Sequence, residues 1–218
     1  MRDWVDWHQA YDDPASQLSA RLRSVRRHLS QAIDQAAAGP VRLVSLCAGQ
    51  GHDVIGVLEH HPRRDELSAV LVEADPRNVE LGCSRAMAAG LAQVEVREAD
   101  ASRPEYFADA LPADVLLLCG IFGNVSDGDI ERTVATAPAL CAAGATVIWT
   151  RHRRAPDITP RIRAWFVDAG FDEVAFDALD AGCLDAGTLG AVGVGRLRDV
   201  PRAGLPSGPL FTFRQTRA

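Results

Sequence analysis

The chain has 218 residues, of which 47% are hydrophobic, so it can bury a sizeable core in one domain that carries an N-terminal extension. Its net charge of −6 gives no long-range attraction to nucleic acid or to an anionic membrane. No stretch approaches the ~20 apolar residues that a membrane span needs, and the polar N-terminus does not resemble a secretory signal. We therefore expect a cytoplasmic protein.

Two features of the composition exclude particular chemistries. The five cysteines, at positions 47, 83, 119, 141 and 183, show no C-x-x-C spacing, which predicts neither a zinc site nor a disulfide framework. All 23 basic residues are arginine. Without lysine the chain cannot form a lysine Schiff base and has no P-loop lysine. We expect no bound metal.

The first 40 residues are predicted to form a helical extension. Trp4, Trp7 and Tyr11 are spaced to lie on one helical face, and the sequence DDP at 12–14 breaks that element. A long helix from about 15 to 38 follows, with an apolar stripe at helical spacing. Gly39 and Pro40 end it.

The rest of the chain, 41–218, alternates between apolar strands and amphipathic helices. This alternation predicts an α/β fold, a doubly wound sheet whose ligands bind beyond the carboxyl ends of the strands. The predicted strands span 41–46, 69–73, 93–98, 115–119, 145–150, 173–177 and 189–197. The predicted helices span 52–60, 76–89, 129–141 and 159–169.

The ends of the first two strands predict a nucleoside site. In LCAGQGHD after the first strand, Gly49 and Gly51 allow backbone N–H groups to approach a ligand, and a helix N-terminus follows. Glu73 ends the second strand, 22 residues after Gly51, where its carboxylate can accept ribose hydroxyl hydrogens. Asp75 is expected to cap the next helix.

The ends of the next two strands offer groups for a base. Asp100 can accept a hydrogen bond from an adenine amine, and Ala101 is small enough to lie beside the ring. Ile121 and Phe122, in CGIFGNVSD, could cover an adenine face. Asn124 follows as a polar group at the cleft.

The fifth strand ends in TRHRRAPD. His152 lies where a general base could reach a substrate, although a structural histidine is an equal alternative. We interpret the surrounding arginines as a solvated rim rather than a substrate clamp.

These motifs together resemble motifs I to III of the class I S-adenosylmethionine-dependent methyltransferases, over residues 41–196. The segments concerned are LCAGQGHD, LVEADPRN and EADAS, with CGIFGNVSD after the fourth strand and WTRHRR after the fifth. The resemblance implies a Rossmann-like, seven-stranded sheet with an antiparallel last strand. It also implies S-adenosylmethionine (SAM) as the cofactor, S-adenosylhomocysteine (SAH) as the product, and an extension that acts as a lid.

The resemblance assigns roles to residues at the strand ends. Gly49 and Gly51 would contact the methionine part, Glu73 the ribose, and Asp100 the adenine amine. Tyr11 and Arg21, chosen over Arg26, would contact the methionine carboxylate. The remaining cofactor-binding candidates are Cys47, Ala48, Gln50, Ala74, Ala101, Cys119, Gly120, Ile121 and Phe122.

Three functions stay open at this point. The favoured one is methyl transfer to an O- or N-nucleophile of a small molecule, with His152 as the base and Asn124 as a hydrogen-bonding group. A nicotinamide-dependent oxidoreductase is disfavoured because Val54 replaces the third glycine of G-x-G-x-x-G. Cys47 and Asp53 depart from the methyltransferase motif, so a non-catalytic protein that partners another subunit also stays open. A homodimer is a separate possibility.

Overall fold

The computed structural model describes residues 11, 13–179, 190–198, 204–205 and 207–214. The predicted helix face of Trp4 and Trp7 lies outside these residues, as does Cys183. The helices are α1 (Gln17–Gln35), α2 (His52–Leu58), α3 (Pro76–Ala88), α4 (Asp127–Leu140) and α5 (Thr159–Asp168). The strands are β1 (Val41–Leu46), β2 (Leu67–Glu73), β3 (Val94–Glu98), β4 (Ala113–Leu118), β5 (Cys141–His152), β6 (Phe171–Leu179) and β7 (Gly190–Leu197).

The seven strands form one sheet in the order β3-β2-β1-β4-β5-β7-β6. Strands β1 to β5 are parallel, and β7 runs antiparallel to both β5 and β6. This confirms the predicted seven-stranded fold with its antiparallel last strand. The chain builds the sheet outward in both directions from β1 and β4, so the topological switch point lies between these two strands.

Helices cover both faces of the sheet. On one face α1, α2 and α3 bury residues such as Leu29 and Ile55 against Leu43 and Val115. On the other face α4 and α5 enclose an aromatic core in which the Trp149 and Phe166 rings stack 5.7 Å apart. The central strands are buried on both sides, which is why their sequences are continuously apolar instead of alternating.

Helix α1 is fixed to the far edge of the sheet through one carboxylate. Ser16 caps the start of the helix by accepting a hydrogen bond from the Ser19 N–H. Further along, Asp177 Oδ2 on β6 accepts hydrogen bonds from Ser24 Oγ and Arg27 Nη2, and lies 2.8 Å from His28 Nε2. These contacts fix the helix that carries Arg21.

In the described part of the chain, no helix combines the length and the apolar character that crossing a membrane would require.

We predict that Asp177→Asn lowers the free energy of unfolding by about 1–3 kcal/mol near neutral pH, because the donors of α1 lose a charged acceptor. Burial alone would raise the pKa of Asp177. Hydrogen bonds from Ser24 and His28 and the charge of Arg27 outweigh this effect, so the pKa lies below its usual value. Because its folded-state pKa is lowered, ionised Asp177 stabilises the fold at pH values above its unfolded-state pKa of about 3.9. This stabilisation is lost as the pH falls through the folded-state pKa. Urea unfolding at several pH values measures the effect.

The matched control is Asp172→Asn on the same strand, where the side chain is 70% exposed and its pair with Arg198 is 3.7 Å long. This change is expected to cost less than about 0.5 kcal/mol. The account of α1 is wrong if Asp177→Asn matches the wild type near neutral pH, or if its deficit does not shrink as the pH falls and Asp177 takes up a proton.

Candidate functional site

The turn after β1 has an unusual backbone. Cys47, Gly49 and Gly51 have φ values of 55°, 57° and 69°, all in the left-handed region. Gly51 is the N-cap of α2, and a Cβ there would lie 2.7 Å from Ile55 Cδ1 and 2.8 Å from Leu71 Cδ2. The left-handed backbone conformation therefore favours glycine at this position, and the turn brings the start of α2 close to the ends of β1 and β4.

The carboxylate of Glu73 holds this turn. Its Oε2 accepts a hydrogen bond of 2.8 Å from the Gly49 N–H. Its Oε1 accepts hydrogen bonds from the N–H groups of Ala74 (3.0 Å) and Asp75 (2.8 Å). Three backbone donors thus fix the orientation of the carboxylate, and Oε2, with a single N–H donor, retains room for a further hydrogen bond.

Gln50 ties the same turn to α3. Its side chain is 5% exposed, its Nε2 donates to Asn78 Oδ1 (3.2 Å), and its Oε1 lies 3.2 Å from His52 Nε2 and 3.4 Å from Arg85 Nη2. The predicted contact of Gln50 with a cofactor is therefore limited to its backbone, since the side chain is used within the protein.

A pocket opens at the switch point between β1 and β4. Two of its lining residues lie at the start of α2: His52, which was not predicted from the sequence, and Asp53, which departs from the methyltransferase motif and could hold the cofactor amino group. The other lining residues had all been predicted. They are Tyr11, Arg21, Cys47, Ala48, Cys119 and Gly120.

The pocket combines opposite charges. Arg21 donates a hydrogen bond to Tyr11, whose ring centroid lies 4.6 Å from that of His52. Burial raises the pKa of Asp53, against the opposing effects of the Val54 N–H and of Arg26 and Arg21. A cation entering the pocket would relieve the cost of keeping this carboxylate ionised.

The two pocket cysteines are protonated thiols. Burial, followed by the charges of Glu73 and Asp100, raises the pKa of Cys47 well above its usual value. Burial and then Asp53 likewise raise the pKa of Cys119. Neither side chain is therefore suited to act as a nucleophile near neutral pH.

Arg26 docks α1 onto the turn. Its Nε and Nη2 donate hydrogen bonds of 2.9 Å and 2.5 Å to the carbonyl oxygen of His52. Gly56 makes room for this guanidinium, since a Cβ at that position would lie 2.2 Å from Arg26 Nη2. Of the two arginines weighed from the sequence, Arg21 lines the pocket while Arg26 holds the backbone.

Asp100 and Ala101 lie beside Glu73. The Ala99 N–H donates to the Glu73 carbonyl oxygen at 2.9 Å, so the ends of β2 and β3 are adjacent. Asp100 is exposed, and its Oδ1 accepts a hydrogen bond of 2.9 Å from the Ser102 N–H. The side chain is fixed at the surface next to the ribose candidate.

The loop after β4 differs from the sequence-based expectation. Ile121 and Phe122 are fully buried, and the Phe122 ring lies 6.2 Å from that of Trp149. They are core residues in this arrangement, so they do not offer a surface to an adenine ring. Asn124 Nδ2 donates to the Gly120 carbonyl oxygen at 2.8 Å, which fixes the loop and leaves less of its amide for a substrate.

The end of β5 carries His152, the candidate base, and Arg151, one of the arginines interpreted as a solvated rim. His152 is half-buried next to Gly123, and burial, followed by the charges of Arg151 and Arg154, lowers its pKa. The imidazole is therefore neutral near neutral pH and can accept a proton. Arg151 is not part of a solvated rim, because it is only 8% exposed.

Solved methyltransferases share the fold. The magnesium protoporphyrin IX methyltransferase of Synechocystis PCC 6803, with bound SAM, has a TM-score of 0.66 at 10% identity, covering 88% of this chain and 89% of its own. The 1,6-didemethyltoxoflavin-N1-methyltransferase of Burkholderia thailandensis, with bound substrate and SAH, has a TM-score of 0.63 at 16% identity, covering 89% and 87%.

A third similar structure belongs to a longer protein. An O-methyltransferase family protein of Burkholderia thailandensis has a TM-score of 0.61 at 17% identity over 86% of this chain, which spans 58% of that protein's length. At these identities the structures show the fold alone.

Sequence comparison identifies the family. No curated protein matches the chain by sequence. A family model described as "Putative methyltransferase" matches residues 16–164, which is more than half of the chain. This confirms the resemblance predicted from the strand-end motifs, and the chain belongs to this methyltransferase family.

Proposed function

We propose that the protein transfers a methyl group from SAM to an oxygen or nitrogen nucleophile of a small molecule. The observation that carries this proposal is the pocket at the switch point, where Arg21 and Asp53 provide opposite charges beside the fixed carboxylate of Glu73. A SAM molecule has the complementary groups: a zwitterionic amino acid joined to a ribose. The magnesium protoporphyrin IX methyltransferase and the 1,6-didemethyltoxoflavin-N1-methyltransferase, which share this fold, were solved with SAM or SAH. This supports the same cofactor here.

The amino-acid end of SAM fits the lining of the pocket. Arg21, with Tyr11 hydrogen-bonded to it, would bind the carboxylate, since guanidinium and carboxylate form charge-assisted hydrogen bonds. Asp53 would bind the ammonium, in place of the acid that motif I usually has at Cys47. Gly120 faces open space, since a Cβ there would meet nothing within 4 Å, so the ligand can approach its backbone.

The nucleoside end would extend along the neighbouring strand ends. Glu73 Oε2 has room for a ribose hydroxyl hydrogen without losing the bond from the Gly49 N–H. Asp100 and Ala101 would lie beside the adenine, with Asp100 accepting from the exocyclic amine. Tyr11 and α1, the described part of the N-terminal extension, would cover the methionine end as a lid, because Tyr11 and Arg21 both line the pocket.

The chemistry requires alignment more than activation. SAM supplies an electrophilic methyl group with a good leaving group, so the protein's task is to hold the nucleophile in line with it. His152, neutral near neutral pH, is the candidate to take the proton from the acceptor. The protonated state of Cys47 and Cys119 argues against a covalent cysteine intermediate.

We predict that Glu73→Gln weakens SAH binding about 10- to 100-fold, because a hydrogen bond to a charged acceptor contributes about 1.5–3 kcal/mol. Isothermal titration calorimetry measures the change. The matched control is Glu80→Gln, the same substitution on an exposed side chain of α3, which should leave SAH affinity unchanged.

Glu73 also holds the glycine turn, so the thermal unfolding of each variant is measured in parallel. The ribose role is wrong if a folded Glu73→Gln variant binds SAH as tightly as the wild type, or if Glu80→Gln is weakened equally. Binding of NAD with higher affinity than SAH would overturn the methyltransferase function itself.

We predict that Arg21→Gln weakens SAH binding about 10- to 100-fold but leaves adenosine binding unchanged, because adenosine lacks the carboxylate that the guanidinium would bind. Arg23→Gln is the control on the same helix; its exposed guanidinium donates to the Pro14 carbonyl oxygen, away from the pocket. An equal loss for adenosine and SAH would show that Arg21 supports the fold of the pocket and does not bind the carboxylate.

A further inference from the structure

The guanidinium of Arg151, at the end of β5, is buried without an acceptor. Its side chain is 8% exposed, and its Nε and Nη1 have no hydrogen-bond partner among the residues that the structure describes. Burying a charged donor without an acceptor is costly, because its lost hydration is not replaced. The two unsatisfied nitrogens therefore point to an acceptor that arrives from outside.

One of two nearby carboxylates, Asp157, cannot serve as that acceptor without giving up its own contacts. Asp157 Oδ2 accepts a hydrogen bond of 3.2 Å from Arg153 Nε. Its Oδ1 caps α5 by accepting from the N–H (2.9 Å) and the hydroxyl (2.8 Å) of Thr159. Its charge reaches Arg151 only as a through-space attraction.

The second carboxylate, Asp127, is shared between two other arginines. Arg161 Nη1 lies 3.7 Å and Arg214 Nη2 lies 3.9 Å from its carboxylate oxygens. Both arginine side chains are about 60% exposed, and both distances are too long for hydrogen bonds, so these pairs are weak. Either guanidinium can turn towards a better acceptor.

In the part of the chain that the structure describes, several arginines surround Asp127 and Asp157. Their guanidinium groups lie along the end of β5, the start of α5 and the C-terminal segment. These belong to Arg151, Arg153, Arg154, Arg161 and Arg214.

This group of arginines lies at the ligand-binding edge of the sheet. Strand β5 is the neighbour of β4, and the Gly120 N–H after β4 donates to Thr150 Oγ1 at 3.0 Å, one residue before Arg151. The C-terminal segment brings Arg214 to the same place, where its N–H donates to the Asn124 carbonyl oxygen at 2.8 Å. The pocket wall and the arginines are thus joined through adjacent strand ends.

We propose that Arg151 and Arg214 bind an anionic group of the methyl acceptor, which makes the substrate a small organic acid. The inference rests on the proposed function, since it names the substrate class of the same site. An acid oxygen would satisfy the buried donors of Arg151, and Arg214 would turn from Asp127 to complete the contact. The acceptor would then be held next to His152, the candidate base, at the end of β5.

The test uses benzoate as a probe, with benzamide as its neutral counterpart and phenyl phosphate to separate carboxylate from phosphate recognition. Each is titrated into the SAH-saturated protein. We expect benzoate or phenyl phosphate to bind at least about tenfold more tightly than benzamide, and Arg151→Met to abolish that preference. Arg214→Gln should reduce it several-fold. The stronger of the two anions identifies the acid.

Two controls test whether the effect depends on the position of Arg151 and whether its side chain has a structural role. Arg42→Gln removes an exposed arginine at the opposite end of the sheet and should leave anion binding unchanged. Arg151→Met should unfold at an equal or higher temperature than the wild type, because it removes an unsatisfied buried charge. A clear loss of stability in Arg151→Met would instead assign this side chain a structural role and overturn the proposal.

The remaining outcomes are also decisive. Equal affinity for benzoate, phenyl phosphate and benzamide, absence of binding by both anions, or full anion binding in Arg151→Met overturns the inference while SAH binding stands. Failure of the wild type to bind SAH, measured in the same samples, overturns the proposed function independently of the anion result.

Discussion

The site depends on the hydrogen bonds between one carboxylate and three backbone N–H groups. Glu73 joins the end of β2 to the left-handed turn after β1, and it fixes the start of its own following loop. Without it, three left-handed residues between Cys47 and Gly51 would form a turn with little to stabilise their conformation. The position of α2, and therefore of Asp53 in the pocket, follows from this turn. The same carboxylate is the group proposed to bind the ribose, so stability and ligand recognition share one interaction.

Helix α1 adds the second half of the pocket. Arg26 binds the His52 carbonyl oxygen at one point of the helix, and Asp177 binds Ser24, Arg27 and His28 at another. These two attachments place Arg21 opposite Asp53, which gives the pocket its paired charges. At the end of β5, Nε and Nη1 of Arg151 are buried without a hydrogen-bond partner among the described residues. The two halves of the cleft are therefore suited to a zwitterion and to an anion.

The strength of the local sequence signals decided how much could be predicted. The continuous apolar strands and the glycine and proline boundaries fix the fold, so the strand limits agree within a few residues, and β1 agrees at both ends. Glu73 and the glycine turn were visible because their spacing reflects a βαβ unit. The burial of Ile121 and Phe122 could not be predicted, because an apolar pair after a strand has the same sequence pattern whether it faces the core or a ligand. Arg151 looked like a surface residue because its burial depends on tertiary packing, which the local sequence does not show.

The measurement that tests the account most directly is a crystal structure of the protein with SAH. The account predicts the homocysteine carboxylate at Arg21, its ammonium at Asp53, a ribose hydroxyl on Glu73 Oε2 and the adenine amine at Asp100. The Gly49 N–H should remain bonded to Glu73 in the complex. A ligand bound away from the ends of β1 and β2, or a pocket that stays empty at saturating SAH, would contradict the account.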